Sequence, residues 1–204
     1  MWRILPHLKM VNSHTKFCWN CSHLLSTHIF FCSNCNSIQK PEKMNHFEFF
    51  SLPLIYQIDY QLLEKKFFEL QSSLHPDKFW NASEKEKLYS QILSAEINLA
   101  YNCLKDPVKR ANTLLKILAN LEVKENSCND KKILIEIIDL QEEMQNLQTK
   151  REKKIFLKRI DFLMQQNFKK IENEFKSKNY LEAMNINIKL LYLKKIKNNQ
   201  IFLQ

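Results

Sequence analysis

The 204 residues carry 31 Lys and Arg against 22 Asp and Glu, a net charge of +9, and 45% of them are hydrophobic, which suits a folded chain of one or two domains. Glycine is absent altogether; a Walker loop, a dinucleotide fingerprint and a G-x-S-x-G nucleophile elbow all need it, so those chemistries are excluded. No apolar run reaches the ~18 residues of a membrane-spanning helix, and the basic residues are interleaved with acids as on solvated helix faces, not gathered into the stripe that nucleic acid selects.

In chain order, residues 1–16 form a basic tail, and the first acid of the chain is Glu42. Such a start resembles an organellar targeting segment, the alternative being a short disordered tail. Residues 17–40 hold Cys18-x-x-Cys21 and Cys32-x-x-Cys35 with ten residues between them. Two intervening residues let both sulfurs of one knuckle reach the same ion, and two knuckles complete a tetrahedral tetrathiolate site, for which zinc is the usual occupant. One structural zinc ion is therefore expected on Cys18, Cys21, Cys32 and Cys35, with no open position for a catalytic water; two disulfides or an iron site are the alternatives. Ser22 and Asn36 stand where glycine commonly follows the second cysteine, and Asn tolerates left-handed backbone better than Ser does. His23 and His28 are expected on the surface, and Cys103 and Cys128 are isolated, Cys103 as a buried helix thiol.

Residues 45–120 read as four helices. A short one spans Phe47–Phe50. The second is capped by Asp59 and carries Leu63, Phe67, Leu70 and Leu74 at helical spacing. His75-Pro76-Asp77 breaks the pattern; proline fixes φ and ends the helix, so the His and Asp project from a stiffened corner. Ser72 and Ser73 are within one helical turn, but their spacing supports no arrangement of nucleophile, base and orienting group, which argues against catalysis and leaves either a turn or a recognition loop. A capping box, Ser83 with Glu86, opens the third helix, whose expected stripe is Leu88, Ile92, Ala95, Leu99 and Leu104. Asp106-Pro107 opens the fourth, with Ala111, Leu114, Leu115 and Leu118.

After a polar linker, residues 129–204 read as a bundle of three longer helices. The first has the stripe Ile133, Ile137, Leu140, Met144 and Leu147. The second has Phe156, Ile160, Leu163 or Met164, Phe168, Ile171 and Phe175. The third has Leu181, Met184, Ile188 and Leu191. On the first of these helices Leu134 and Ile138 fall far from the stripe, and Ile135, Asp139, Glu142 and Asn146 lie nearly opposite it. Three large aliphatics outside a satisfied core face either pack beneath the preceding domain or form a partner surface. The expected fold is all-α: a small zinc-binding head, a helical hairpin and a three-helix bundle.

A short helix, a long helix, a His-Pro-Asp loop and a second long helix together resemble the J-domain, the activator module for DnaK-class ATP-driven chaperones. The match goes further. His75-Pro76-Asp77-Lys78-Phe79, Ala95-Glu96-Ile97-Asn98-Leu99-Ala100-Tyr101, Asp106-Pro107 with Arg110-Ala111 and Leu114-Leu115, and the Leu-x-Glu-Glu pattern at Leu140-Gln141-Glu142-Glu143 resemble the HscB family, the J-type co-chaperones of iron–sulfur cluster assembly, called Jac in yeast. Cys18-Trp19-Asn20-Cys21 and Cys32-Ser33-Asn34-Cys35 are similar to the head that its animal members add, apart from the missing glycines.

The resemblance implies an adaptor rather than an enzyme. His75, Pro76 and Asp77 would trigger ATP hydrolysis in a mitochondrial DnaK-class chaperone. The face of Leu134, Ile135, Ile138, Asp139, Glu142 and Asn146 would hold a scaffold protein of the IscU type. Tyr192 takes the matching aromatic position on the last helix, although its helical angle also suits the core. The implied location is the mitochondrial matrix, or the cytoplasm as well, with neither nucleic acid nor membrane as partner. The rival readings are a general J-domain co-chaperone for unfolded clients, marked by a long apolar groove without acids, and a zinc-ribbon nucleic-acid binder, marked by salt-sensitive binding.

Overall fold

Most helix starts are written locally as capping side chains. In the computed structural model, which describes residues 16–26, 30–123 and 130–201, two short strands precede seven helices. Strands β1 (Lys16–Phe17) and β2 (Leu24–Leu25) pair antiparallel, Lys16 opposite Leu25 and Phe17 opposite Leu24. The helices are α1 (His46–Phe49), α2 (Tyr60–Leu74), α3 (Glu84–Lys105), α4 (Pro107–Ala119), α5 (Lys131–Asn146), α6 (Lys150–Lys176) and α7 (Tyr180–Ile201), with a 3-10 turn, Pro76–Phe79, between α2 and α3. The tail, His28 and Cys128 lie outside the described residues.

Asn45 and Glu48 cap α1 reciprocally, and Thr149 and Glu152 do the same for α6. The Asp59 carboxylate accepts from the Gln61 and Leu62 amides ahead of α2, and Ser83 and Glu86 form their box at α3. Asp106 accepts from Val108 N–H with Pro107 at the first helical position, and Asp130 caps α5. Helix ends are less usual. Lys178 takes φ 59° after α6, so that its amide reaches Phe175 O and that of Asn179 reaches Glu174 O. This is a Schellman ending with a lysine where glycine is customary, and Asn120 ends α4 at φ 53°.

The described residues fall into two compact units. One comprises the residues up to Met44 together with Gln71–Glu96. Within it, the end of α2 is tied to the start of α3: Ser90 Oγ donates to Leu74 O at 2.8 Å, and Ser94 Oγ donates to Gln71 Oε1 at 3.2 Å. The other comprises Asn45–Leu70 and everything from Ile97 onward. Its three-helix bundle is cored by Leu140, Phe156, Ile160, Leu193 and Ile196, with Met144, Leu147, Leu163 and Met164 packed against them. Asn187, fully buried on α7, donates to Val108 O at 3.2 Å and to Asn112 Oδ1, and Lys194 pairs with Asp106, so α7 is joined to α4 as well as to its bundle partners. Glu136–Lys189 at 2.5 Å and Asp161–Lys197 at 2.6 Å tie α5 and α6 to α7.

Two expected stripes are corrected. On α3 the buried residues are Ser90, Leu93, Ser94, Ile97, Ala100 and Leu104, whereas Leu88, Ile92, Ala95 and Leu99 are exposed. Both sets repeat at helical spacing. The structure buries the one whose small hydroxyls let α2 approach. On α7 Leu181 is 64% exposed, while Ala183, Ile186, Ile188, Leu190, Leu193 and Ile196 are buried. The helix meets α4, α5 and α6 at once, so it has no single apolar face.

Candidate functional site

The tetracysteine cluster is built from two copies of one local structure. In each knuckle the residue after the second cysteine turns left-handed, Ser22 and Asn36 both at φ 57°. Their amides return to Cys18 O and Cys32 O at 2.9 Å. The amides of Cys18 and Cys32 in turn reach His23 O at 2.8 Å and Ser37 O at 3.0 Å. Within each knuckle the asparagine amide, Asn20 or Asn34, points to the first sulfur at 3.4 Å. Their side chains cross over: Asn20 Nδ2 lies 3.8 Å from Cys35 Sγ and Asn34 Nδ2 lies 3.6 Å from Cys21 Sγ. Buried Gln39 adds Nε2 to Cys18 Sγ at 3.4 Å.

The four sulfurs lie within 4.8 Å of one another, with Cys18–Cys35 and Cys21–Cys32 at 3.6 Å. Sulfurs about 2.3 Å from a tetrahedral ion stand about 3.8 Å apart, whereas a disulfide brings them to about 2.05 Å. The thiols are free and spaced for an ion, so the disulfide alternative is set aside. The electrostatics are uneven. The Ser37 hydroxyl and backbone N–H draw the Cys35 thiol down to about 6. Burial works against the Cys18 thiolate, but the backbone amides of Cys21 and Asn20 outweigh it and hold its pKa below the ordinary value. Burial raises Cys32 to about 11. The donor set suits a soft or borderline divalent cation bound by thiolates, and donated N–H bonds offset part of the negative charge such a site accumulates. The sequence signal for the asparagines was present, as Asn precedes the second Cys in both knuckles. Gln39 had none.

His75-Pro76-Asp77 sits on the 3-10 turn, where His75 is its N-cap. His75 Nδ1 accepts the Asp77 amide at 3.3 Å and stands 3.5 Å from Asp77 Oδ2. Both side chains are exposed, as is Trp80 just beyond the turn. Leu74 O, the last carbonyl of α2, would be an orphan acceptor without the Ser90 hydroxyl. Ser90 therefore sets where the helix stops and the loop begins, a role that spacing alone did not reveal. The triplet is a short, stiff, solvent-facing corner with the apolar and polar groups of three adjacent residues on offer.

On α5 the stripe Ile133, Ile137, Leu140, Met144 and Leu147 turns inward, Ile137 being 3% exposed. Ile135 and Ile138 remain 59% and 52% exposed, with Asp139, Glu142 and Asn146 also exposed. Leu134 is half-buried between the two faces, and Tyr192 on α7 is half-buried as well. The structure thus keeps two bulky isoleucines in water on a helix whose core face is already satisfied. Beyond these, Arg110 is 1% exposed and bonds Tyr56 O at 2.8 Å, Leu104 O and Tyr60 Oη at 3.0 Å. It lies against the Tyr56 and Tyr60 rings and is a structural pin rather than a surface group. Cys103 is half-buried, its Sγ 3.1 Å from Thr113 Oγ1, and burial raises its pKa. His23 is exposed as expected, and no described helix is long and apolar enough to cross a membrane.

Residues 129–199 match the family described as the HSCB C-terminal oligomerisation domain. The co-chaperone protein HscB homolog of Vibrio atlanticus is 35% identical over 160 residues, covering 76% of this chain and 94% of its own. That of Pasteurella multocida is 31% identical over 158 residues, covering 75% and 92%. Among solved structures, human co-chaperone protein HscB shares the fold with a TM-score of 0.87 at 24% identity, over 92% of this chain and 98% of its own. Chaperone HscB from Vibrio cholerae gives 0.70 at 30% identity, over 78% and 97%.

Proposed function

Because the chain belongs to the HscB co-chaperone family, we propose that it is an adaptor of iron–sulfur cluster assembly which carries an IscU-type scaffold to a DnaK-class chaperone and triggers that chaperone's ATPase. The observation that carries this reading is the division of labour along the chain. The His75-Pro76-Asp77 corner is exposed and preformed, while a separate helix, α5, presents Ile135 and Ile138 to solvent beside Asp139, Glu142 and Asn146. An activator shifts its partner only by favouring the hydrolysis-competent state over the resting one, so the corner must bind those states unequally. The nucleotide site belongs to the partner: a chain without glycine has no phosphate loop. The acids beside the α5 isoleucines favour one folded client over the unfolded segments a general J-domain co-chaperone would take.

In the same reading Cys18, Cys21, Cys32 and Cys35 hold one zinc ion, which when bound supplies cross-linking of the two knuckles and no reaction chemistry. The acid-free start of the chain supports a place in the mitochondrial matrix. Single-turnover ATP hydrolysis by a DnaK-class chaperone, with and without the scaffold, tests the proposal. Stimulation should be abolished by His75→Gln without a change in melting temperature, because the imidazole is exposed and makes only local bonds. Undiminished stimulation would reduce the corner to an ordinary turn.

A further inference from the structure

The unit that contains the tetracysteine cluster also contains an open cleft of about 860 Å³, lined by none of the four cysteines, that the proposed function does not use. Its floor is apolar, made by Phe17, Trp19, Leu25 and Tyr89. Trp19 is fixed there, its Nε1 donating to Ile38 O at 2.7 Å and its ring meeting the Tyr89 ring edge-on at 6.3 Å. Phe17 is exposed on β1.

Four lysines, Lys16, Lys40, Lys43 and Lys85, rim the cleft with Glu42 as the one acid. Glu42 is spent on Lys16 at 2.5 Å, and Lys85 Nζ lies 4.5 Å above the Trp19 ring. Lys40 and Lys43 have no ion-pair partner among the described residues and are exposed. A hydrophobic floor under uncompensated positive charge selects an occupant that is acidic and apolar at once. The chain's own residues 1–15 carry Arg3 and Lys9 and no acid, so their charge sets them against this rim, as the net charge of +9 does a second copy. Base stacking is poorly served, because Lys85 covers one face of Trp19 and Tyr89 closes its edge. The concavity suits an inserted side chain better than a flat lipid surface.

We propose that this cleft is a docking site for an acidic peptide segment of a partner protein, an extended stretch in which carboxylates meet Lys40 and Lys43 while an aliphatic side chain enters over Phe17 and Leu25. This surface shares no residue with the His75-Pro76-Asp77 corner or with α5, and gives the head a recruiting role.

The test uses the full-length, metal-loaded protein and fluorescence anisotropy of a fluorescein-labelled peptide of repeating Asp-Glu-Leu. The peptide is expected to bind, and its affinity should fall about tenfold for Lys40→Glu with Lys43→Glu. Lys154→Glu with Lys158→Glu on α6, which alters net charge equally, should leave it unchanged. Metal content and melting are measured on each protein; if the reversal disturbs them, Lys40→Gln with Lys43→Gln replaces it and should also weaken binding. The proposal is overturned if both pairs weaken binding alike, if an Asn-Gln-Leu peptide binds equally well, or if no binding is detected. It is equally overturned if oligothymidylate or phosphatidylserine vesicles displace the peptide better than its unlabelled form does. None of these readouts involves ATP, so their failure is distinct from failure of the co-chaperone reading.

Discussion

Truncating Ile135 and Ile138 together to alanine separates a partner surface from a core surface on one helix. The two side chains are 59% and 52% exposed, so about half of each is already covered by its own fold. The other half is available to a partner. Half of the ~2 kcal/mol gained on fully burying an isoleucine is about 1 kcal/mol, so the pair offers about 2 kcal/mol, or about 30-fold in scaffold affinity. Stability should fall by up to about 1 kcal/mol per site, the share of each side chain that its own fold already covers. The internal control is Ile137→Ala, one residue away and 3% exposed. It should cost about 2–5 kcal/mol of stability, as large-to-small core changes do. Thermal melting and titration of the scaffold, followed by calorimetry on one preparation, read both quantities. If either exposed isoleucine, truncated alone, lowers the melting temperature as much as Ile137→Ala does, or if the pair leaves affinity unchanged, α5 does not carry the scaffold on this face. Chaperone stimulation in the absence of scaffold should be untouched by the exposed pair in either case.

Three further outcomes are expected. Chelation should release one metal ion per chain and unfold the knuckles while the helical circular-dichroism signal persists, since no helix contains a ligand cysteine; loss of that signal would show that the helices depend on the ion. Asp106→Asn keeps the α4 cap but removes the pair with Lys194. Burial opposes the Asp106 carboxylate, but Lys194 and the amides of Lys109 and Val108 outweigh it and hold its pKa below the usual range. The pair's contribution, up to about 1 kcal/mol for a partly exposed ion pair, is therefore present above the ordinary carboxylate pKa of about 3.9 and lost as pH falls through the lower native value. Denaturation of the two proteins should differ at pH 7 and converge in strong acid; a gap that persists there would assign the effect to something other than charge. Ser22→Gly should strengthen metal retention against a competing chelator by about 1 kcal/mol, because left-handed backbone costs a serine about that much, and Asn36→Gly should do less. Weaker retention by Ser22→Gly would show that its side chain contributes more than its backbone costs.

What the sequence disclosed depended on how many neighbours each feature has. Caps such as Asp59, Ser83 with Glu86 and Asp106 were legible because their partners are within three residues. The α5 stripe was legible because that helix docks on one side, which leaves Ile135 and Ile138 as a visible surplus. The knuckles were legible down to the left-handed Ser22 and Asn36, again because the geometry closes locally. On α3, two apolar rows compete, and hydrophobicity favours the wrong one; Ser90 and Ser94 belong to the buried row because of what α2 brings to them, a carbonyl and an amide from another element. On α7, contact on several sides erases the periodicity that a stripe search needs. Arg110 is legible only with the fold in hand, since its three acceptors come from residues 56, 60 and 104.

The asparagines that cross between the two knuckles have a consequence for how the metal is taken up. Asn20 reaches a sulfur of the second knuckle, and Asn34 a sulfur of the first. Neither half can finish its own ligand shell until the other has arrived. A chain holding the ion on one cysteine pair lacks two thiolates and both crossing bonds, so it gains little from partial loading. Uptake would then be all-or-none: with half an equivalent of metal, half of the chains would be complete and the rest empty, and a titration should show two populations with no species between them.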